Sequence, residues 1–257
     1  MFTKAITKKP CRALIDGIST AQFGEGTPVY EFAVRQHDIY VETLRGLGLE
    51  VLDLDADERY PDSCFVEDPA VVMAECAVIT NPARDSRNSE KYEIIHAIRQ
   101  FYEEEQIFHI EAPGTLEGGD VMLVGKHFYV GQSDRTNEEG ARQFTEIVEQ
   151  FGYEVTTVPV TEGLHLKDFV IYLENNNLLV TELMNQEPAF RDFNRFIVDA
   201  DELYAINSMY INGTVLVPEG YPKTLKIIED LGYPVKLMDT GEFRKIDGSL
   251  TCLSLRF

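Results

Sequence analysis

The stretch Leu47-Gly48-Leu49-Glu50-Val51 returns in outline as Phe151-Gly152-Tyr153-Glu154-Val155 and as Leu231-Gly232-Tyr233-Pro234-Val235. Each joint ends a helical pattern on an apolar residue, offers glycine as a left-handed C-cap, and runs through another apolar residue into a strand. Upstream of these joints the apolar spacing predicts helices. The first spans Thr27 to Leu47, with Thr27 as N-cap, Pro28 in the first turn, and Ala33, Tyr40, Leu44 and Leu47 on one face. Others are expected over Ser89 to Glu104, Asn137 to Phe151 and Tyr221 to Leu231. Short β-rich runs lie between them: Cys11 to Ile15, Ala70 to Met73, Cys76 to Thr80, Ile107 to Ile110, Val121 to Val124, His127 to Val130, Val155 to Val160, Val170 to Leu173, Leu178 to Val180, Met209 to Ile211 and Thr214 to Val217. Asn212-Gly213 between the last two is a hairpin turn, because both residues tolerate positive φ. The recurring unit reads as hairpin, helix and strand, roughly 50 residues long, within the range of repeat architectures. About five such units fit the chain of 257 residues. Ordinary α/β proteins also repeat helix-glycine-strand joints, so this pattern alone leaves both explanations open.

Composition narrows the function classes. With 23 basic and 44 acidic residues the net charge is −21, a surface that repels nucleic acid and anionic membrane. Hydrophobic residues make up 44% of the chain, enough to bury a core. The N-terminal stretch has no apolar run of signal-peptide type, and no segment approaches the ~20 apolar residues of a membrane span, so a cytoplasmic protein is expected. Cys11, Cys64, Cys76 and Cys252 are too few and too scattered for a disulfide framework and form no C-x-x-C pair. No glycine-rich phosphate loop follows a strand.

Four places set charge where turns meet apolar strands. Asp62, Glu67 and Asp68 fall within Pro61 to Pro69, interleaved with Phe65 and Val66, and suit either a cationic ligand or a solvated turn. Glu117 and Asp120 flank Gly118-Gly119 at a strand start. His165 stands between Leu164 and Leu166 and reads as the most buried of the five histidines, fit for proton transfer or for a satisfied core position. His37, His96, His109 and His127 have polar neighbours and read as structural or exposed, and none completes a zinc-ligand spacing. Finally, the Asp247-Gly248 turn delivers Cys252 to the start of a short last strand. An isolated thiol is by default inert core, but a cytosolic cysteine with a histidine elsewhere is also the minimal set for nucleophilic catalysis.

Taken in order, Pro61 to Asp68, Arg87, Leu116-Glu117-Gly118-Gly119-Asp120, Arg135-Thr136-Asn137, Leu164-His165-Leu166-Lys167 and Asp247-Gly248-x-Leu250-Thr251-Cys252 closely resemble the dimethylarginine dimethylaminohydrolases of the guanidino-modifying superfamily, relatives of the arginine deiminases. The resemblance runs from Arg12 to Phe257. It implies the pentein fold, a five-bladed α/β propeller around a central site, as one catalytic domain over residues 1–257. It further implies hydrolysis of Nω-methylated arginines to citrulline with no metal or organic cofactor. Cys252 corresponds to the nucleophile, His165 to the acid and base, and Glu117 to the acid that orients it. Asp62 and Asp68, with Glu67 beside them, correspond to the grip on the guanidinium. Arg87 and Arg135 match the pair for the substrate carboxylate, and Ile246 offers its carbonyl to the α-amino group. Phe23, where the family usually has Leu, belongs to a closing loop within Thr20 to Val29. Asp168 replaces the usual Ser or Thr and is a candidate specificity residue, which would shift preference towards arginine or another guanidine. Hydrolysis of arginine or N-hydroxyarginine is therefore the second expectation, and a silent binder of cationic amino acids the third. The expected partner is a small guanidino amino acid, with a homodimer as the expected assembly.

Overall fold

Among the described residues, five three-stranded sheets organise the chain, each with a central strand antiparallel to one neighbour and parallel to the other. The structure, a computed structural model, describes residues 1–24 and 26–257; Glu25, inside the expected closing loop, lies outside the described residues. β1 (Lys4–Lys8) passes through helix α1 (Tyr30–Gly46) to the parallel β2 (Glu50–Leu54). The hairpin β3 (Ala70–Val72) and β4 (Ala77–Ile79) continues through α2 (Asp85–Asn88) and α3 (Glu90–Ile98) to β5 (Ile107–His109). The same order gives β6 (Val121–Val124), β7 (His127–Gln132), α4 (Glu138–Glu149) and β8 (Glu154–Pro159). It then gives β9 (Val170–Tyr172), β10 (Asn177–Val180), α5 (Glu182–Asn185) and β11 (Asn194–Ile197). Last come β12 (Met209–Ile211), β13 (Thr214–Pro218), α6 (Pro222–Asp230) and β14 (Val235–Met238). After the short helix α7 (Gly241–Arg244), β15 (Leu255–Arg256) pairs antiparallel with β1 and completes the first sheet from the other end of the chain.

The packing makes the arrangement a ring. Each of five buried apolar clusters lies between two neighbouring sheets: Ile6 and Leu255 meet Ala70 and Ile79, Val78 meets Phe128, and Met122 meets Val170. Ile171 meets Val217, and Met209 with Leu216 returns to Ala5. Burying apolar area between blades is what stabilises units too small to fold alone. The first strands of the five sheets enclose a central cavity of about 400 Å³, with Ala70, Val121, Ile171, Met209 and Leu255 on its wall.

The glycine joints behave as expected: Gly48, Gly152 and Gly232 have φ of 92°, 76° and 82°. Asn212 and Gly213, at φ 47° and 97°, form the predicted turn. Other expectations are corrected. Residues 11–15 are not a strand: Arg12–Asp16 is a 3₁₀ helix, because the Glu58 carboxylate takes the Arg12 and Ala13 N–H groups at 3.0 and 2.9 Å and turns the chain. The strand nearby is β1, whose lysines disguise its apolar side. Helix α1 begins two residues later than expected, with Val29 rather than Thr27 as N-cap, because the Val29 N–H is anchored on Glu242 at 2.6 Å. The expected helix over 89–104 is shorter, since the chain tightens into turns after Ile98, and α2 precedes it. Among the described residues, no helix is long and apolar enough to cross a membrane.

Candidate active site

Loops at one end of the ring carry the chemistry. Residues 61–69 lead into β3, Glu117 precedes the 3₁₀ turn Gly118–Asp120 at the start of β6, and His165 precedes the 3₁₀ turn Leu166–Asp168 before β9. Cys252 is not on the final strand, as expected, but on the 3₁₀ turn Thr251–Leu253 ahead of it. A tight turn exposes one side chain at its crest, and Cys252 is half-buried while Cys11, Cys64 and Cys76 are buried. Asp62, Phe65, Asp68, Arg87, Arg135, Leu164, His165, Ile246, Asp247, Gly248 and Cys252, with Ile18, line one small cavity of about 40 Å³.

The imidazole of His165 stands between acids. Its Nε2 is 2.8 Å from Glu117 Oε2 and 3.8 Å from Asp68 Oδ1. Gly119 makes this approach feasible, since a Cβ there would lie 2.6 Å from the ring. Burial alone would lower the His165 pKa, but the Asp68 charge, the Glu117 hydrogen bond and the Asp120 charge overcome it and raise it to about 10. The same pairing holds Asp68 down to about 2 and Glu117 below its ordinary value, in each case against burial. Asp68, Glu117 and His165 have donor atoms close enough to share a metal ion. An imidazolium has no free lone pair, however, so at neutral pH the trio suits proton transfer.

The arginines interleave with the acids rather than facing them from a distance. Arg87 donates to Asp68 at 2.5 Å and, through Nε and Nη2, to Glu90 at 2.8 to 3.2 Å, with Nη2 also reaching the Phe65 carbonyl. Arg135 holds Glu117 loosely, by Nη1 at 3.3 Å, while its buried Nε has no partner among the described residues. An unpaired guanidinium donor on a cavity wall is a ready site for a ligand anion. Asp62 accepts from the Ile18 N–H at 3.0 Å, and burial raises its pKa against the pull of Arg87. Burial, followed by the charges of Glu67, Asp68 and Asp168, pushes the Cys252 thiol well above its ordinary pKa.

Four expected residues lie off this wall: Glu117, which stands behind His165, and Glu67, Asp168 and Phe23. Glu67 is buried on the side of the central cavity, bonded to Lys167 at 2.5 Å, Arg256 at 3.2 Å and the Thr251 hydroxyl at 2.7 Å. Asp168 turns back and accepts the His165 N–H at 3.1 Å, and burial raises its pKa to about 6. Phe23 packs edge-on against Tyr204 at 5.5 Å, outside the cavity lining. The loop that carries it is tied down by Asp247, which accepts from Thr20 N at 2.5 Å, the Thr20 hydroxyl at 2.8 Å and Gln22 N at 3.2 Å.

The family model of eukaryotic N,N dimethylarginine dimethylhydrolases matches residues 12–185. Over the full length of both chains the sequence is 44% identical to the N(G),N(G)-dimethylarginine dimethylaminohydrolase of Pseudomonas aeruginosa. The chain belongs to the dimethylarginine dimethylaminohydrolase family. The Streptomyces coelicolor N(G),N(G)-dimethylarginine dimethylaminohydrolase is 35% identical over 98% of this chain and 96% of its own. A cysteine-to-serine mutant of the Pseudomonas aeruginosa enzyme complexed with citrulline superposes with a TM-score of 0.96, covering the whole of both chains at 44% identity. At 16% identity, the N-terminal domain of a cyanobacterial arginine dihydrolase shares the fold, with a TM-score of 0.82 over 98% of this chain and 97% of that domain. The five-bladed α/β propeller is thus the fold of this dimethylarginine dimethylaminohydrolase family member.

Two supporting residues of this site have no role assigned from the sequence: Asp120, read only as an acid of the motif, and Glu90. Asp120, fully buried, accepts from the Leu166 N–H at 2.9 Å and from the Ser133 and Thr136 hydroxyls at 2.7 Å each, which fixes the His165 turn. Glu90 was hidden because Arg87 fell outside the expected helix, although their spacing of three is a helical pair. His37, expected to be structural or exposed, is more buried than His165, at 0% against 8%, and bonds Asp53 at 2.9 Å far from the thiol's cavity.

Proposed function

We propose that the chain hydrolyses Nω,Nω-dimethyl-L-arginine and Nω-methyl-L-arginine to L-citrulline, releasing dimethylamine or methylamine. The observation that carries this is one cavity lined by a half-buried thiol, a carboxylate-held imidazolium and three further carboxylates, Asp62, Asp68 and Asp247. A guanidinium carbon is a poor electrophile until the cation is held and its leaving nitrogen can be protonated. Asp62 and Asp68 supply the grip. The bound cation offsets the acids that raise the Cys252 thiol, and so favours its thiolate. Sγ then attacks the guanidinium carbon, a C–S bond forms, and the C–N bond breaks as His165 gives its proton to the departing amine. Neutral His165 next takes a proton from water, whose oxygen attacks the thiouronium carbon and becomes the ureido oxygen of citrulline as the C–S bond breaks and the oxygen's remaining proton passes to the departing thiolate. Glu117 orients the imidazole and stabilises its charged form throughout. Arg135, with its Nε unpaired among the described residues, and Arg87 would hold the substrate carboxylate; Ile246 lines the cavity, and its carbonyl would receive the α-amino group.

Asp168 does not line the cavity, so direct selection of arginine by its carboxylate has no geometric support. Incubation with asymmetric dimethylarginine, arginine and N-hydroxyarginine, with citrulline measured from each, tests the reading. Dimethylarginine is expected to be turned over fastest, and a preference for arginine would replace the proposed substrate. Loss of turnover in Cys252→Ser with retained citrulline binding separates the enzyme from a silent binder. A homodimer is also proposed: Phe32 and Ile39, exposed on α1, supply apolar surface for it, and sedimentation equilibrium reads the mass.

A further inference from the structure

The nucleophile and the acid stand on turns more than eighty residues apart in sequence and belong to different blades, so something must set their register. We infer that Asn207 is the positioning residue that clasps these two turns together, an inference that rests on the proposed reaction. Asn207 is 3% exposed and follows the 3₁₀ turn Leu203–Ile206 just before β12. Its Oδ1 accepts the Thr251 N–H at 2.9 Å, and its Nδ2 donates to the Thr251 hydroxyl at 3.1 Å and to the Lys167 carbonyl at 3.4 Å. One amide therefore bonds the residue before Cys252 and the second residue after His165.

The network fixes which way this amide faces. The Thr251 hydroxyl spends its proton on Glu67 Oε2 at 2.7 Å, so towards Asn207 it can only accept. Reversing the amide would set its NH2 against the Thr251 N–H and its oxygen against the Lys167 carbonyl. Glu67 closes the opposite side of the same frame. Its carboxylate holds Lys167 Nζ and the Thr251 hydroxyl, and its N–H donates to the Cys252 carbonyl at 3.2 Å. Both fasteners use buried polar groups whose bonds would be costly to leave unmade. Asn207 touches none of the groups that grip the substrate, so its effect should fall on the alignment of thiol and imidazole and not on binding.

The experiment compares wild type with Asn207→Ala, which removes all three bonds, and Asn207→Asp, which keeps only the acceptor for Thr251 N–H. Misalignment of reacting groups by a fraction of an ångström to an ångström is worth up to about a hundredfold. The expected result in both variants is a kcat for citrulline release roughly 10- to 100-fold lower, with KM within about threefold of wild type. Alkylation of Cys252 by neutral iodoacetamide, which needs no imidazole, should stay within about threefold in Asn207→Ala. A merely structural role would instead lower kcat and the titre of alkylatable Cys252 together. That outcome, or a kcat within twofold of wild type in either folded variant, overturns the inference, and if Asn207→Ala does not fold the Asp variant decides. Absence of citrulline from wild type in the same assay would refute the proposed reaction rather than the clasp.

Discussion

Cys252 and His165 are pushed the same way, towards their protonated forms: burial and then the nearby acids raise the thiol, and the acids raise the imidazole against its burial. A cationic reagent should therefore find the thiol far more readily than a neutral one. At pH 7.5, 2-chloroacetamidine is expected to alkylate Cys252 at least tenfold faster than 2-chloroacetamide after correction for their rates with a free thiol, and equal corrected rates would contradict the electrostatic account. The sign for His165 follows from its raised value. Its ion pair contributes stability fully below the ordinary pKa of 6.5, and that contribution is lost as pH rises through about 10. Glu117→Gln removes one acid and one charge-assisted hydrogen bond, so the imidazole should titrate at lower pH by NMR, with kcat down by about 10² to 10³. An unshifted titration would show that Glu117 does not hold the proton.

Short turns, more than helices or strands, decide where these groups stand. Gly119 lets the Glu117 turn lie against the His165 ring, and its backbone N–H reaches Asp68 Oδ1 at 3.2 Å. Gly119→Ala should push the ring away, lowering kcat by about 10- to 100-fold and stability by about 1–3 kcal/mol, and wild-type kinetics would show that the turn yields freely. Elements with local signals were legible in the sequence. The joints at Gly48, Gly152 and Gly232 were clear because a helical period ends and a left-handed residue follows within five positions. β1 and β11 were not, since lysines in one and arginine and asparagine in the other interrupt the apolar alternation, and only their partners in the sheet explain them. Turn chemistry was also hidden at residues 12–16, where the deciding acceptor, Glu58, is more than forty residues away. The site residues themselves were legible as motifs in order. What the motifs could not show was that Glu67 serves Lys167 and Thr251, that Asp168 faces a backbone N–H, and that Glu90 shares Arg87.

The ring closes by joining the two ends of the chain, a pairing with no local signature. Thr3 and Lys4 donate to the Phe257 carbonyl at 2.8 Å each, and the Phe257 ring packs on Phe101 at 5.1 Å and Tyr102 at 5.6 Å. Phe257→Ala should cost about 2 kcal/mol, roughly 4–8 °C in Tm, and an unchanged Tm would mean that the blades hold the ring without this latch. The charge of −21 acts at the same scale. Much of it is solvated surface that attracts a cationic substrate over about a Debye length, so kcat/KM should fall severalfold between about 10 mM and 500 mM salt. Iodoacetamide alkylation should not change, and a salt-independent kcat/KM would confine the useful charge to the cavity. There acids and arginines alternate, which suits an amino acid carrying a guanidinium, an α-amino group and a carboxylate. The most direct measurement of the central claim is citrulline and dimethylamine released from asymmetric dimethylarginine by the wild-type protein beside Cys252→Ser. The account predicts equal molar amounts of both products from wild type and neither from the variant; no citrulline from wild type, or turnover that survives in Cys252→Ser, would contradict it.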